Sequence, residues 1–292
     1  MTHIVSLDAS WLAAHRLPRV ETNSDKNGRG RVLLVGGARF VPGALALTGE
    51  AILRVGAGKL QMATVEAVAS ALGVLVPEAA MVALPMREDG EIAPEAVALI
   101  AKLVPRCDLL LAGPGMSATA DTSELVKGLI GLSPPALLLD AAALTCAALS
   151  DLTSAASHRP LVLTPHHGEM ARLLERTLDE VASNPGAVVQ EIVRLTGAVV
   201  ALKGPQTWIG GPDAPLLHFT GGCPGLGIGG SGDVLAGIIG GLLARGTPPY
   251  VATAWGVALH GAAGRKAAQD IGETGFLARE LLPRLPRLLE TL

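Results

Sequence analysis

Residues 225–246, GLGIGGSGDVLAGIIGGLLARG, place a single carboxylate, Asp233, between a glycine-rich stretch and an apolar run of helical spacing. A helix that starts near Ser231 leaves the first-turn N–H groups of Gly230, Ser231, Gly232 and Asp233 without helical acceptors. The helix dipole adds partial positive charge at that end. With almost no side chains in the way, a phosphate can approach those amides closely. A carboxylate beside such an anion hole can take a proton from a hydroxyl while the amides stabilise charge on a transferring phosphoryl group. The plainer reading is capping, because Ser231 and Asp233 are both favoured types at a helix start. Behind them Val234, Leu235, Ile238, Ile239, Leu242 and Leu243 form one apolar face, and Ala236, Gly237, Gly240 and Gly241 are small. That pattern predicts a closely packed, rigid mount.

Other polar clusters carry weaker signals. TPHHGE (164–169) offers His166, His167 and Glu169. No further nitrogen or sulfur ligand has zinc-like spacing, so zinc is disfavoured. Glu169 at a strand end can hold Mg²⁺ through water, since that ion keeps most of its waters and takes phosphate oxygens; the plain alternative is an acid in a first helical turn. In KGPQT, Lys203 ends an apolar strand, either as a snorkelling edge residue or as a contact to a phosphate-bearing ligand. His260 reads as a histidine packed within a helix. Gly225, Gly227 and Gly230 match G-x-G-x-x-G, but no Asp or Glu occurs from Val234 to Gln269, which excludes the dinucleotide fingerprint. GAGKL (56–60) lacks both the hydroxyl residue and the upstream glycine of a P-loop.

These residues need a scaffold, and the chain supplies repeating strand–helix units. Apolar strands are predicted at 31–37, 59–65, 107–115, 135–141, 160–169 and 197–204, with helices at 42–58 and near 94–104, 121–130, 167–176 and 185–196. Continuous apolar strands alternating with helices give a mostly parallel sheet covered on both faces. Ligands bind such sheets at the carboxyl ends of the strands. GGARFVPGA, GPGMS, DAAAL, TPHHGE, KGPQT and the glycine-rich run all fall there.

Composition agrees with an enzyme built on a large core. Of 292 residues, 49% are hydrophobic and only 17% charged, and aromatics contribute just 2%, so aliphatic side chains must fill the interior. A net charge of −3 without a basic run disfavours nucleic acid. The apolar run after Asp233 is shorter than the roughly 20 residues a membrane span needs, so no membrane association is expected. The amino-terminal stretch lacks the pattern of a signal peptide. Three widely spaced cysteines fit a reducing cytoplasm.

The clusters, in this order, resemble the ADP/ATP-dependent NAD(P)H-hydrate dehydratase family. PGLGIGGSGDVLAGIIGGLLARG and LTPHHGEMARLL carry the likeness, with VLLVGGARFVPGALALTGEAILRVGAGKLQMAT, CDLLLAGPGM and GVALHGAAG in support. The resemblance implies an α/β fold, a ribokinase-like three-layer α/β/α sandwich with a mostly parallel central sheet. It implies one domain over 1–292, with residues 1–24 a short N-terminal extension. It also implies that ADP or ATP phosphorylates the hydroxyl of (S)-NAD(P)H hydrate and that phosphate is then eliminated. By resemblance Asp233 is the base and touches the hydrate, and Ala44, Gly115 and His166 line the hydrate pocket. Lys203, Gly204, Pro205, Gln206 and Thr207, with Gly230, Ser231 and Gly232, lie against the nucleotide. Mg²⁺ accompanies the nucleotide, with Glu169 its expected water-mediated holder, and a homo-oligomer, a tetramer in relatives, is expected. The chain departs from the family pattern at Ala142, where a second acid is usual, at His167 in place of proline, at Cys223 in place of asparagine, and in SDKNGRG before the first strand. No epimerase domain is apparent. A small-molecule kinase of the same fold and a non-catalytic nucleotide binder remain the competing readings.

Overall fold

The computed structural model describes residues 3–19 and 25–292. Ten strands form one sheet: β1 (Ile4–Ser6), β2 (Arg31–Val35), β3 (Lys59–Val65), β4 (Ala80–Leu84), β5 (Leu109–Ala112), β6 (Leu137–Leu139), β7 (Leu161–Leu163), β8 (Val199–Leu202), β9 (Thr207–Gly210) and β10 (Leu216–Phe219). Their spatial order is β1-β10-β9-β8-β7-β6-β5-β2-β3-β4. Pairing is parallel except where β9 runs antiparallel to β8 and β10. The six predicted strands all appear. Ser24, at the start of SDKNGRG, lies outside the described residues. Residues 3–19, read above as part of an extension, carry the edge strand β1, and the helix Ala9–Ala14 that follows it buries Trp11 and Leu12.

Alternating side chains split the core in two. Val32 and Leu34 face one side of the sheet, with Leu45 and Ile52. Leu33 and Val35 face the other, with Ile100 and Leu129. Helices Pro42–Arg54, Ser231–Ala244 and Pro249–Asp270 cover the first face; Ala120–Gly131, Leu149–His158 and Pro185–Thr196 cover the second. This is the expected three-layer α/β/α sandwich. Among the described residues no helix is long and apolar enough to cross a membrane.

The strand order reverses between β2 and β5: the chain runs outward through β3 and β4, then returns to the other side of β2. Loops after β2 and β5 therefore lie side by side at the carboxyl end of the sheet, where such sheets bind ligands, and the Gly37 N–H donates to the Pro114 carbonyl across them. Helix Ser231–Ala244 packs against the same two strands. A Cβ added at Gly237 would lie 2.4 Å from the Thr48 carbonyl oxygen and 2.7 Å from Ala51 Cβ. One added at Gly240 would lie 2.7 Å from Leu111 Cδ1 in β5. The small residues noted in the sequence thus let this helix reach both the sheet and helix Pro42–Arg54 at near-backbone distance. Gly237→Ala is expected to cost about 1–3 kcal/mol by overpacking in urea unfolding. Gly131→Ala, at a helix end with open space around the added methyl, is expected to cost nothing.

Candidate active site

Lys203, immediately after β8, organises the carboxyl ends of the strands. Its Nζ lies 2.7 Å from Asp140 Oδ1 and 3.9 Å from Glu169 Oε2. Asp140 directly follows β6 and is only 1% exposed; it also accepts a hydrogen bond from Thr164 Oγ1, just after β7, at 2.7 Å. Burial pulls the lysine pKa down, but Asp140 and then Glu169 outweigh it, so the ammonium is held above its ordinary range. Burial also pushes the Glu169 carboxyl up, against the pull of Lys203. A Cβ added at Gly232 would sit 3.4 Å from Lys203 Nζ. The cation therefore lies beside the first turn of helix Ser231–Ala244.

Asp233 is the third residue of that helix. Its pKa is pushed up to about 7, chiefly by burial, with the charges of Asp140 and Glu169 adding and Lys203 opposing. A carboxylate poised there is matched to proton transfer near neutral pH. Gly230 precedes the helix at φ 89°, a left-handed conformation that glycine adopts freely. The helical ladder opens with the Val234 N–H donating to the Gly230 carbonyl, so the Gly232 and Asp233 amides precede it. Ser231 departs from the expected set of outward-facing amides. Its N–H donates to the Ile228 carbonyl at 3.2 Å, and its buried hydroxyl lies 2.9 Å from His260 Nε2. His260 is packed within helix Pro249–Asp270 as read, and is also the partner of this hydroxyl. Burial drives its imidazole pKa down to about 4, so the ring is neutral.

The three positions expected to line the hydrate pocket are distributed as follows. Gly115, at φ 72°, brings the loop after β5 against the loop after β2: an added Cβ would lie 3.2 Å from Ala44 Cβ and 3.1 Å from Gly37 Cα. His166 stands after β7, where it pairs with Lys203 in a parallel bridge. Its Nδ1 accepts the Gly168 and Glu169 N–H groups, at 2.9 and 3.1 Å. That leaves the proton on Nε2, 3.4 Å from Glu169 Oε1, in a side chain that stays largely exposed.

The segment Lys203–Thr207 forms the turn from β8 to β9. Gly204 lies under the His167 ring, whose Nε2 would be 3.2 Å from an added Cβ. Gln206 Oε1 is 2.7 Å from His218 Nε2, and the Pro205 carbonyl faces Gly222 beside Cys223. Thr207 opens β9.

A protein-held metal does not fit these donors. Among the described residues no three His, Cys, Asp or Glu side chains converge as a metal site. Glu169 Oε2 accepts the His166 N–H at 2.8 Å, completing a capping box. Asp140 Oδ1 is shared by Lys203 and Thr164. Asp140, Thr164 and the His260–Ser231 pair escaped the sequence reading. The signal for Asp140 was there, an acid closing the continuous apolar strand LLLD. Ala141 beside it has φ 50°, a strained conformation for a non-glycine residue that is more frequent at functional loops. Two surface hollows of about 340 and 510 Å³, beside Gly210–Ala214 and around Asn27, Asp108 and Arg245, do not include this cluster.

The chain is similar in sequence and fold to known proteins. A profile of the family described as NAD(P)H-hydrate dehydratase matches residues 32–287. The ADP-dependent (S)-NAD(P)H-hydrate dehydratase of Xanthomonas campestris pv. campestris is 44% identical over 287 residues, covering 98% of this chain and 96% of that one. The bifunctional NAD(P)H-hydrate repair enzyme of Moorella thermoacetica is 38% identical over 98% of this chain, which spans 54% of its length. Among solved structures, the ADP/ATP-dependent NAD(P)H-hydrate dehydratase of Bacillus subtilis, co-crystallised with ATP and Mg²⁺, superposes with a TM-score of 0.83 at 28% identity, covering 98% of each chain. A ribokinase-like superfamily protein of Enterococcus faecalis superposes at 0.80 with 27% identity, over 99% of this chain and 95% of that one.

The electrostatics set a stability test. The Asp233 carboxyl holds its proton more tightly folded than unfolded, so its contribution to stability is lost as pH rises from the ordinary aspartate value to about 7. Asp233→Asn is expected to stabilise the fold at pH 8 by about 1–3 kcal/mol, seen as a raised Tm, with the gain vanishing below pH 4. Lys203→Met strands Asp140 as a buried charge and is expected to destabilise by about 3–5 kcal/mol at the same pH.

Proposed function

Because this chain belongs to the NAD(P)H-hydrate dehydratase family, we propose that it restores NAD(P)H from (S)-NAD(P)H hydrate at the expense of ADP or ATP, with Asp233 as the base. The nucleotide lies along Lys203–Thr207 and ends at the first turn of helix Ser231–Ala244. There the Gly232 and Asp233 amides and the Lys203 ammonium face its transferring phosphoryl group. The hydrate sits over the loops after β2 and β5, against Ala44, Gly115 and the exposed edge of His166.

Asp233 takes the proton from the hydrate hydroxyl as that oxygen attacks phosphorus. The bond from phosphorus to the leaving nucleotide oxygen breaks, giving a phosphate ester and a nucleotide one phosphate shorter. The ester's C–O bond then breaks with loss of a ring proton. Phosphate leaves with the bonding electron pair, and the ring regains the double bond of the dihydronicotinamide. Phosphorylation is needed because hydroxide is a poor leaving group and phosphate a good one. Mg²⁺ bound with the nucleotide would supply charge neutralisation for its phosphates.

The single observation that carries this reading is geometric: the Asp233 carboxylate stands in the first turn of helix Ser231–Ala244, behind the left-handed Gly230, and the Lys203 ammonium lies beside the same turn. The site-bearing loops all come from one sheet, which supports a single catalytic domain. ADP is the favoured co-substrate, supported by the Xanthomonas relative. A cytoplasmic homo-oligomer is part of the same proposal. Val74 and Leu75, exposed at the end of helix Glu66–Leu75, support the oligomer.

Incubation with hydrated NADH and ADP is expected to restore the absorbance of the reduced nicotinamide. A stable phosphorylated alcohol without that recovery would identify a kinase instead. Asp233→Asn is expected to lower kcat by about 10²–10⁴. In the wild type kcat/KM should rise with pH through about 7 and level off, as Asp233 ionises, and that limb should be absent from the residual activity of the Asn variant.

A further inference from the structure

Ser231 lies inside the phosphate-facing turn, yet its side chain points away from where a phosphate would sit. It is 4% exposed, and its Oγ meets His260 Nε2 at 2.9 Å. His260 comes from helix Pro249–Asp270, which packs behind helix Ser231–Ala244. The residues flanking Ser231 are glycines on both sides, so the turn has little side-chain packing of its own. Gly230 takes a left-handed conformation, and Gly227 and Gly229 precede it. Such a segment has many accessible backbone states, and amides that grip a phosphate must be held within a fraction of an ångström to be effective.

We infer that His260 is a positioning residue for phosphoryl transfer: through Ser231 it anchors the glycine turn from behind, so that the Gly232 and Asp233 amides and the Asp233 carboxylate keep a fixed aim. The inference rests on the proposed reaction, since it assigns those amides to the transferring group. The neutral imidazole suits the task. It offers one ring nitrogen to one hydroxyl, and either tautomer completes the bond. It adds no second cation beside Lys203, so the charge balance of the site stays with Lys203 and its three carboxylates. A threonine at 231 would keep the hydroxyl; an alanine removes it with almost no change in volume.

Kinetics of Ser231→Ala, Ser231→Thr, His260→Ala, His260→Gln and the Ser231→Ala/His260→Ala double variant test this, with wild-type turnover of NADH hydrate measured first. Loss of the wild-type reaction would remove the proposed function itself and is read separately. With that activity in hand, each alanine variant is expected to lose about tenfold in kcat, with KM for the hydrate changed less than threefold. The double variant should be no worse than the single ones, because both delete the same bond. Ser231→Thr and His260→Gln should recover kcat to within about threefold of wild type. If His260→Ala fails to fold, Ser231→Ala against Ser231→Thr decides alone. A kcat for Ser231→Ala within twofold of wild type, or single losses that multiply in the double variant, would overturn the inference.

Discussion

The buried ion pair between Lys203 and Asp140 is the interaction on which the site depends. It joins the ends of β8 and β6, and Thr164 after β7 adds a hydrogen bond to the same carboxylate oxygen. A lysine ammonium so far from water is tolerated only because acids surround it. The acids are tolerated for the reciprocal reason, but their number exceeds the single cation. Asp140, Glu169 and Asp233 share one ammonium, and burial together with this imbalance pushes the carboxyls of both Glu169 and Asp233 up. The raised pKa that suits Asp233 to its proposed role as base is therefore a consequence of burial and of the neighbouring carboxylates.

Much of this was legible in the sequence because it is encoded locally. Continuous apolar strands such as VLLV and LLLA leave little choice but a covered parallel sheet, and a glycine run followed by an apolar stretch of helical spacing marks the closely packed helix Ser231–Ala244. The less legible parts are set by long-range contacts. Three-residue β1 and the β9–β10 hairpin, whose Trp208 and His218 stack at 4.0 Å, lack a continuous apolar run and gain their strand character from the neighbours they pair with. Asp140 and Lys203 are 63 positions apart, and nothing local says that they meet. Ser231 reads as part of the anion hole because its N–H falls in the first helical turn, yet that N–H donates to the Ile228 carbonyl. Only the packing of helix Pro249–Asp270 shows that its hydroxyl faces the opposite way. Glu169, read either as a water-mediated metal holder or as an acid in a first helical turn, sits in that turn and closes a capping box with His166.

Rigidity and reactivity share a cause in helix Ser231–Ala244. Its glycines let it approach helix Pro42–Arg54 and β5 at backbone distance, which fixes its axis, and the same scarcity of side chains at its amino end leaves room for a phosphate. The first function needs small residues along the buried face, the second at the exposed tip, and a single glycine-rich segment supplies both. The cost is conformational freedom in the turn itself, which the bond from Ser231 to His260 restrains.

Gly232 and Asp233 are adjacent in the chain. The proposed base and the amides proposed to face phosphorus therefore move as one body. Recognition of the alcohol is proposed for a different place, the two loops at the crossover between β2 and β5, where an added Cβ at Gly115 would lie 3.2 Å from Ala44 Cβ. Reach and recognition are thus separable modules. Bulkier or more polar side chains on those two loops would retune which alcohol is admitted without disturbing the reactive pair, which is a physical route by which one scaffold can be diversified over many small hydroxyl compounds.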